Sequence, residues 1–150
     1  MSNDQDLIKL YSGQILALAA DIPLTERLEA PQASVKERAP LCGSTVTVDV
    51  TMDQGRISGF GQDVKACALG QAAASVVASN IIGRTPAEVC KARDQLSAML
   101  RDDGGVPDAP FDGLKVLEPA RSYKNRHASI LLALEATVKA ITMVGKTECA

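Results

Sequence analysis

Leu7, Tyr11, Ile15, Leu18 and Ile22 recur at steps of three and four. That is the spacing of one helix face, so an amphipathic helix is predicted to open the chain and to end near Pro23. Residues 23–41 carry Pro23, Pro31 and Pro40 and read as a long connection, within which Ser34–Arg38 has room for a short edge strand. From Ser44 to Met52 the pattern switches to alternation. Val46, Val48, Val50 and Met52 fall on one side, and Thr45, Thr47, Asp49 and Thr51 on the other, which predicts a half-buried strand with a polar face. Asp53-Gln54-Gly55 turns the chain, and Arg56–Ala66 returns as the hairpin partner. There Ile57 and Phe60 are out of parity beside Gly59 and Gly61, which points to a bulge.

Beyond the hairpin the pattern becomes helical. The run from Cys67 to Gly83 is rich in alanine and serine, as suits a helix packed closely against a neighbour, and Gly83 suits its C-terminal cap. Thr85-Pro86-Ala87-Glu88 has capping-box spacing with proline at the first helical position, opening a helix that should reach about Arg101. Residues 104–113 hold three glycines and two prolines and read as a loop. A last helix presents Ile130 or Leu131, Leu134, Val138 and Ile141 on one face. Helix, antiparallel strands, then helices is an α+β order, with helices covering one face of a sheet.

Composition narrows the function classes. The chain has 150 residues, and 46% of them are hydrophobic. It therefore reads as one domain, 1–150, with a core of its own. A net charge of -2 and only four aromatic side chains, Tyr11, Phe60, Phe111 and Tyr123, argue against nucleic acid as a partner. No apolar run approaching a membrane span is read along the chain, and the acidic start Met1–Asp6 lacks the order of a signal peptide. A cytoplasmic protein with no membrane partner is expected, and in that compartment no disulfides.

The candidate chemistry then rests on Cys42, Cys67, Cys90, Cys149 and the single histidine, His127. Cys42 precedes the regular strand beside Gly43, so it should sit at a sheet end facing a loop. Cys67 falls where strand gives way to helix, near the positive end of the helix dipole and beside Lys65, a setting that favours thiolate chemistry. His127 stands near the start of the last helix, on or beside its apolar face. It reads either as a satisfied structural histidine or as a donor to zinc or iron. Cys90 reads as core packing and Cys149 as a tail thiol. No CxxC pair links any of them.

Taken together, these segments resemble the IscU/SufU (NifU N-terminal) iron–sulfur scaffold family. The likeness runs through Leu10-Tyr-Ser-Gly13, Leu41-Cys-Gly-Ser44, Gly55-Arg-Ile-Ser-Gly-Phe60, Cys67-Ala-Leu-Gly-Gln-Ala-Ala-Ala-Ser75, Gly83-Arg-Thr85 and Arg126-His-Ala-Ser-Ile-Leu-Leu-Ala-Leu-Glu-Ala136. The extra segment around 101–120 is more like the SufU branch. The resemblance implies a SufE/NifU (IscU-like) fold with a three-stranded antiparallel sheet. It also implies a metal or cluster site at one end, sulfur supply from a cysteine desulfurase, and delivery to Fe–S recipient apo-proteins. Site roles carry over to Cys42, Cys67 and His127, as ligands of iron, a labile [2Fe–2S] cluster or zinc. The two cysteines are also the candidate persulfide acceptors. A monomer or weak homo-oligomer is expected.

Two positions depart from the family pattern. Ala128 stands where the third cysteine would be, and Ser44 where an aspartate follows the first cysteine. Zinc and [2Fe–2S] sites both use four ligands, so the matched set is short. Three readings stay open: a scaffold or carrier with a reduced ligand set, a metal-independent persulfide acceptor, and an adaptor paralogue without the chemistry. The sequence reads as a scaffold or carrier more than as an enzyme, with sulfurtransferase activity left open.

Overall fold

The computed structural model describes residues 12–41 and 43–145. Helix α1 runs Gly13–Ala20. Strands β1 (Ala33–Arg38), β2 (Thr45–Asp53) and β3 (Arg56–Lys65) form one antiparallel sheet in the order β1-β2-β3. Helices α2 (Ala68–Asn80) and α3 (Pro86–Arg101) follow. Two 3₁₀ segments, Phe111–Ser122 and Lys124–Arg126, lead into α4 (His127–Gly145).

Each element keeps the local chemistry that predicts it. Ser12 caps α1, its hydroxyl accepting from the Ile15 N–H. The helix stops at Ala20, short of Ile22, and Leu7 and Tyr11 lie outside the described residues. At the hairpin tip Gln54 and Gly55 both take positive φ, 52° and 79°, the backbone of a two-residue turn that matches strand twist. The register slips where Met52 faces Ile57 and Thr51 faces Gly59, so Ser58 is the extra residue of a bulge. Thr85 and Glu88 form the full capping box of α3. The 3₁₀ segment Phe111–Ser122 has no counterpart in the sequence reading. Its buried side chains are Phe111, Leu114, Leu117 and Ala120, a period of three, which makes one stripe on a helix of three residues per turn and fits neither α nor β templates.

The core lies between the sheet and α4. Val46, Val48 and Val50 are buried on one sheet face, and α4 packs across β1 and β2 there, with α2 and α3 on its other side. By length and apolarity alone α4, with its 3₁₀ lead-in, passes for a membrane span, which the sequence reading did not anticipate. Yet Ile130–Leu134 and half of its remaining residues are buried against the rest of the chain, so it is a core helix.

The other sheet face holds a correction. Asp49 has the parity of a solvent-facing residue, yet it is fully buried. Residues 23–28 cross that face. Gly61 makes room for them, since an added Cβ there would collide with the Glu26 carbonyl and crowd the Leu28 nitrogen. The two glycines beside Phe60 therefore serve a close backbone approach as well as the bulge. A second correction concerns Cys90. Read as simple packing in a chain without disulfides, it is disulfide-bonded. Sequence gaps carry no information on which cysteines approach in space.

Candidate functional site

The site grows from the end of the sheet at which β2 starts and β3 finishes. Arg38 of β1 faces Thr45 of β2, and Thr45 faces Lys65 of β3. Residues 39–44 form the turn between β1 and β2. The Gly43 N–H donates to the Ala39 carbonyl at 2.9 Å, and the Ala39 N–H to the Ser44 carbonyl at 2.8 Å. Gly43 takes φ 72°, a conformation glycine adopts without strain. Cys42 lies outside the described residues.

Cys67 is the N-cap residue of α2, with extended φ and ψ of −66° and 169°. Its thiol makes no capping hydrogen bond. The half-buried sulfur instead lies 3.6 Å from the Ser129 hydroxyl. Ser129 is almost fully buried on the first turn of α4, and its Oγ is 3.0 Å from Ser44 Oγ. Thiol, hydroxyl and hydroxyl thus form one row that joins the start of α2, the start of α4 and the start of β2. Gly70 allows this, because a Cβ there would meet Ser129 Oγ at 2.7 Å. Lys65, expected to charge the thiol's surroundings, is exposed and 3.8 Å from Asp63.

His127 belongs to a different set of contacts. The ring is buried, and Nε2 lies 2.9 Å from the Ala120 carbonyl and 3.0 Å from that of Arg121. Nε2 must therefore carry the proton and donate to the carbonyls that end the long 3₁₀ segment. That tautomer leaves the Nδ1 lone pair for a metal, the arrangement usual for ligating histidines. The structure thus brings Cys67, Ser129 and Ser44 into one row and ties His127 to the 3₁₀ segment. Ala128, between His127 and Ser129, is half-buried. Cys149 lies outside the described residues.

The donor set can be weighed on its chemistry. Among the described residues no group of three histidine, cysteine or carboxylate side chains is placed to hold a metal ion; Cys67 and His127 need Cys42 to make three. Sulfur and imidazole suit zinc or iron in kind. They fall short of four in number, and Ser44 does not make up the difference, because its hydroxyl is directed at Ser129. In the sequence Ser129 stands out only as one residue of the motif Arg126–Ala136. Its contact with Cys67 joins residues 62 positions apart, and no local spacing announces it.

Compared with known proteins, the chain matches no family model and no curated protein. Solved structures do match. A nitrogen-fixing NifU-like protein (N-terminal) from Brucella abortus is 40% identical, with a TM-score of 0.92 over 95% of this chain and 99% of that one. A candidate iron–sulfur cluster assembly scaffold protein for the SUF system from Fervidobacterium islandicum AW-1 is 20% identical, with a TM-score of 0.80 over 89% and 98%. A hypothetical protein, also 20% identical, has a TM-score of 0.74 over 90% and 98%. The last two show the fold alone. The first, at its identity and coverage, shows more: this chain belongs to the NifU-like N-terminal family.

Proposed function

We propose that the protein is a scaffold or carrier in iron–sulfur cluster assembly that holds iron, a labile [2Fe–2S] cluster or zinc through Cys42, Cys67 and His127. The observation that carries this is Cys67. In a chain 40% identical to a NifU-like protein, its thiol is half-buried at a helix N-cap and unspent on capping. A cysteine devoted to packing or to the cap would be enclosed or hydrogen-bonded to the helix. His127 supports the reading through the free Nδ1 of its tautomer. The cargo arrives as sulfur from a cysteine desulfurase and leaves to recipient apo-proteins in the cytoplasm.

The test is metal and acid-labile sulfide content after anaerobic purification, beside the Cys42→Ser/Cys67→Ser double variant. Near-stoichiometric metal that vanishes in the variant is expected. Metal retained at full level in the folded variant overturns the assignment.

One observation favours a second reading. Ser44 turns inward to Ser129 and Ala128 supplies no ligand, so the thiols also suit direct persulfide acceptance without metal. Mass spectrometry after incubation with a desulfurase and cysteine then shows 32 Da additions (about one sulfur atom) on Cys42 or Cys67 of metal-free protein. No addition removes this reading.

A further inference from the structure

Beside Ala128 the surface opens into a cavity of about 210 Å³. At ~30 Å³ for each water molecule's share of the liquid, that is room for an organic molecule of roughly six to eight non-hydrogen atoms. It is below the roughly 300–1,000 Å³ of pockets for drug-sized ligands. Ala39, Leu131 and Leu132, all nearly fully buried, make an apolar wall. The half-buried Ala128 also lines the space, and its short side chain leaves it open.

The rim is charged, and its carboxylates are already engaged. Glu37 is paired with Lys139, and Glu135 is 3.3 Å from Arg93. Arg38 and Arg101 also line the cavity, and neither has an ion-pair or side-chain hydrogen-bond partner among the described residues. They come from separate elements, the end of β1 and the end of α3. The Arg38 guanidinium lies against the turn 39–44, since a Cβ built on Gly43 would stand 3.9 Å from its Nη2. In a chain of net charge -2, one small cavity gathers two uncompensated cations. This pattern selects a ligand class. A guanidinium fork recognises a carboxylate through paired hydrogen bonds. The apolar wall favours a hydrocarbon body, which inorganic phosphate lacks. An ammonium group gains nothing, because both rim carboxylates are paired and two arginines would face it.

We propose that the cavity beside Ala128 binds a small, free aliphatic carboxylic acid without an amino group. Its carboxylate is held by Arg38 and Arg101, and its carbon chain lies against Ala39, Leu131 and Leu132. No metal, sulfur or cluster takes part, so this site stands or falls separately from the scaffold reading.

The experiment titrates butyrate into the full-length protein and follows calorimetry and the amide NMR shifts of Ala39, Ala128 and Leu132. Saturable binding with shifts at these residues is expected. Butyramide, of the same size but uncharged, should bind about tenfold more weakly or worse, and 2-aminobutyrate and inorganic phosphate should both bind more weakly than butyrate. Arg38→Gln and Arg101→Gln should each weaken butyrate about fivefold or more, and Ala128→Leu, which fills the cavity, about tenfold or more. Lys115→Gln removes a cation from the long 3₁₀ segment, outside the cavity lining, and should leave binding unchanged. A melting curve for each variant shows that it is folded. No saturation, butyramide equal to butyrate, or indifference to both arginine variants overturns the carboxylate assignment. Shifts elsewhere, or full binding in folded Ala128→Leu, overturn the cavity assignment. Phosphate or 2-aminobutyrate binding more tightly than butyrate overturns the ligand class. Glutamate blocked at its amino and α-carboxyl groups presents a carboxylate as a partner protein would. Its binding more tightly than butyrate overturns the free-acid reading and assigns the cavity to a partner's acidic side chain.

Discussion

The outer sheet face and the end of the sheet at Cys67 both bury polar side chains, and they treat them in opposite ways. On the outer face the Asp49 carboxylate, fully buried, accepts four hydrogen bonds. They come from Arg27 Nε and Nη2 at 2.6 and 2.9 Å, from the Leu28 N–H at 3.0 Å and from Ser34 Oγ at 2.6 Å. Burial alone would push this carboxyl up, but the hydrogen bonds from Arg27, Ser34 and Leu28 and the charge of Arg27 hold it below its ordinary value. At the other place a thiol and two hydroxyls share contacts of 3.6 and 3.0 Å, with no ionised partner in the row. A saturated cluster fixes the chain, because every donor removed leaves a buried charge exposed to loss. In the row the Cys67 thiol is half-buried and makes no capping bond, so the sulfur keeps bonding capacity for something that binds.

The comparison is sharpest where one end can be changed without the other. Cys67→Ser should remove nearly all bound metal or transferred sulfur while leaving thermal stability within about 0.5 kcal/mol; inductively coupled plasma analysis beside a melting curve reads both. Asp49→Ala should do the reverse. It strands the donors of Leu28 and Ser34 and should cost about 2–3 kcal/mol, read by urea denaturation, with metal content per folded molecule unchanged. Equal effects of the two variants on metal content would break the distinction.

Acid gives a second handle on the outer cluster. A carboxyl held below its ordinary value in the folded protein contributes stability that is complete above the unfolded pKa, ~3.9 for aspartate. That contribution is lost as pH falls through the lower folded value. Stability measured from pH 6 downward should therefore fall more steeply below about pH 4 in the wild type than in Asp49→Asn, whose side chain does not titrate.

Two glycines test the close approaches at each end. Gly61→Ala sets a methyl against the Glu26 carbonyl, rigid backbone on both sides, and should cost roughly 1–3 kcal/mol with no change in metal. Gly70→Ala meets the Ser129 hydroxyl and should disturb the site, lowering metal affinity more than its effect on stability predicts. The smallest effect is at Thr85, whose hydroxyl bonds only to Glu88 among the described residues. Thr85→Ala removes one capping bond and should cost about 1 kcal/mol, measured by the shift in denaturation midpoint.

The sequence by itself determined the elements whose signals are local. Alternation of valine and threonine places β2. Thr85 and Glu88 start α3 because both halves of a capping box lie within one helical turn, and Gln54-Gly55 turns the hairpin because its backbone tolerates positive φ. The positions of Cys67 and His127 at helix starts follow from the same local logic, whereas the shortage of ligands at Ala128 and Ser44 is implied only by the family resemblance. Tertiary structure decided the rest. Asp49 alternates like a surface residue, and only a segment more than twenty residues earlier, crossing the sheet, buries it. The 3₁₀ stripe of Phe111, Leu114, Leu117 and Ala120 has a period that neither common template reads. The row from Cys67 through Ser129 to Ser44 unites side chains from three elements, and the cavity beside Ala128 gathers Arg38 from one strand and Arg101 from a helix end. Such sites are set by which faces pack together, a property of summed burial across the whole chain that no short window of residues contains.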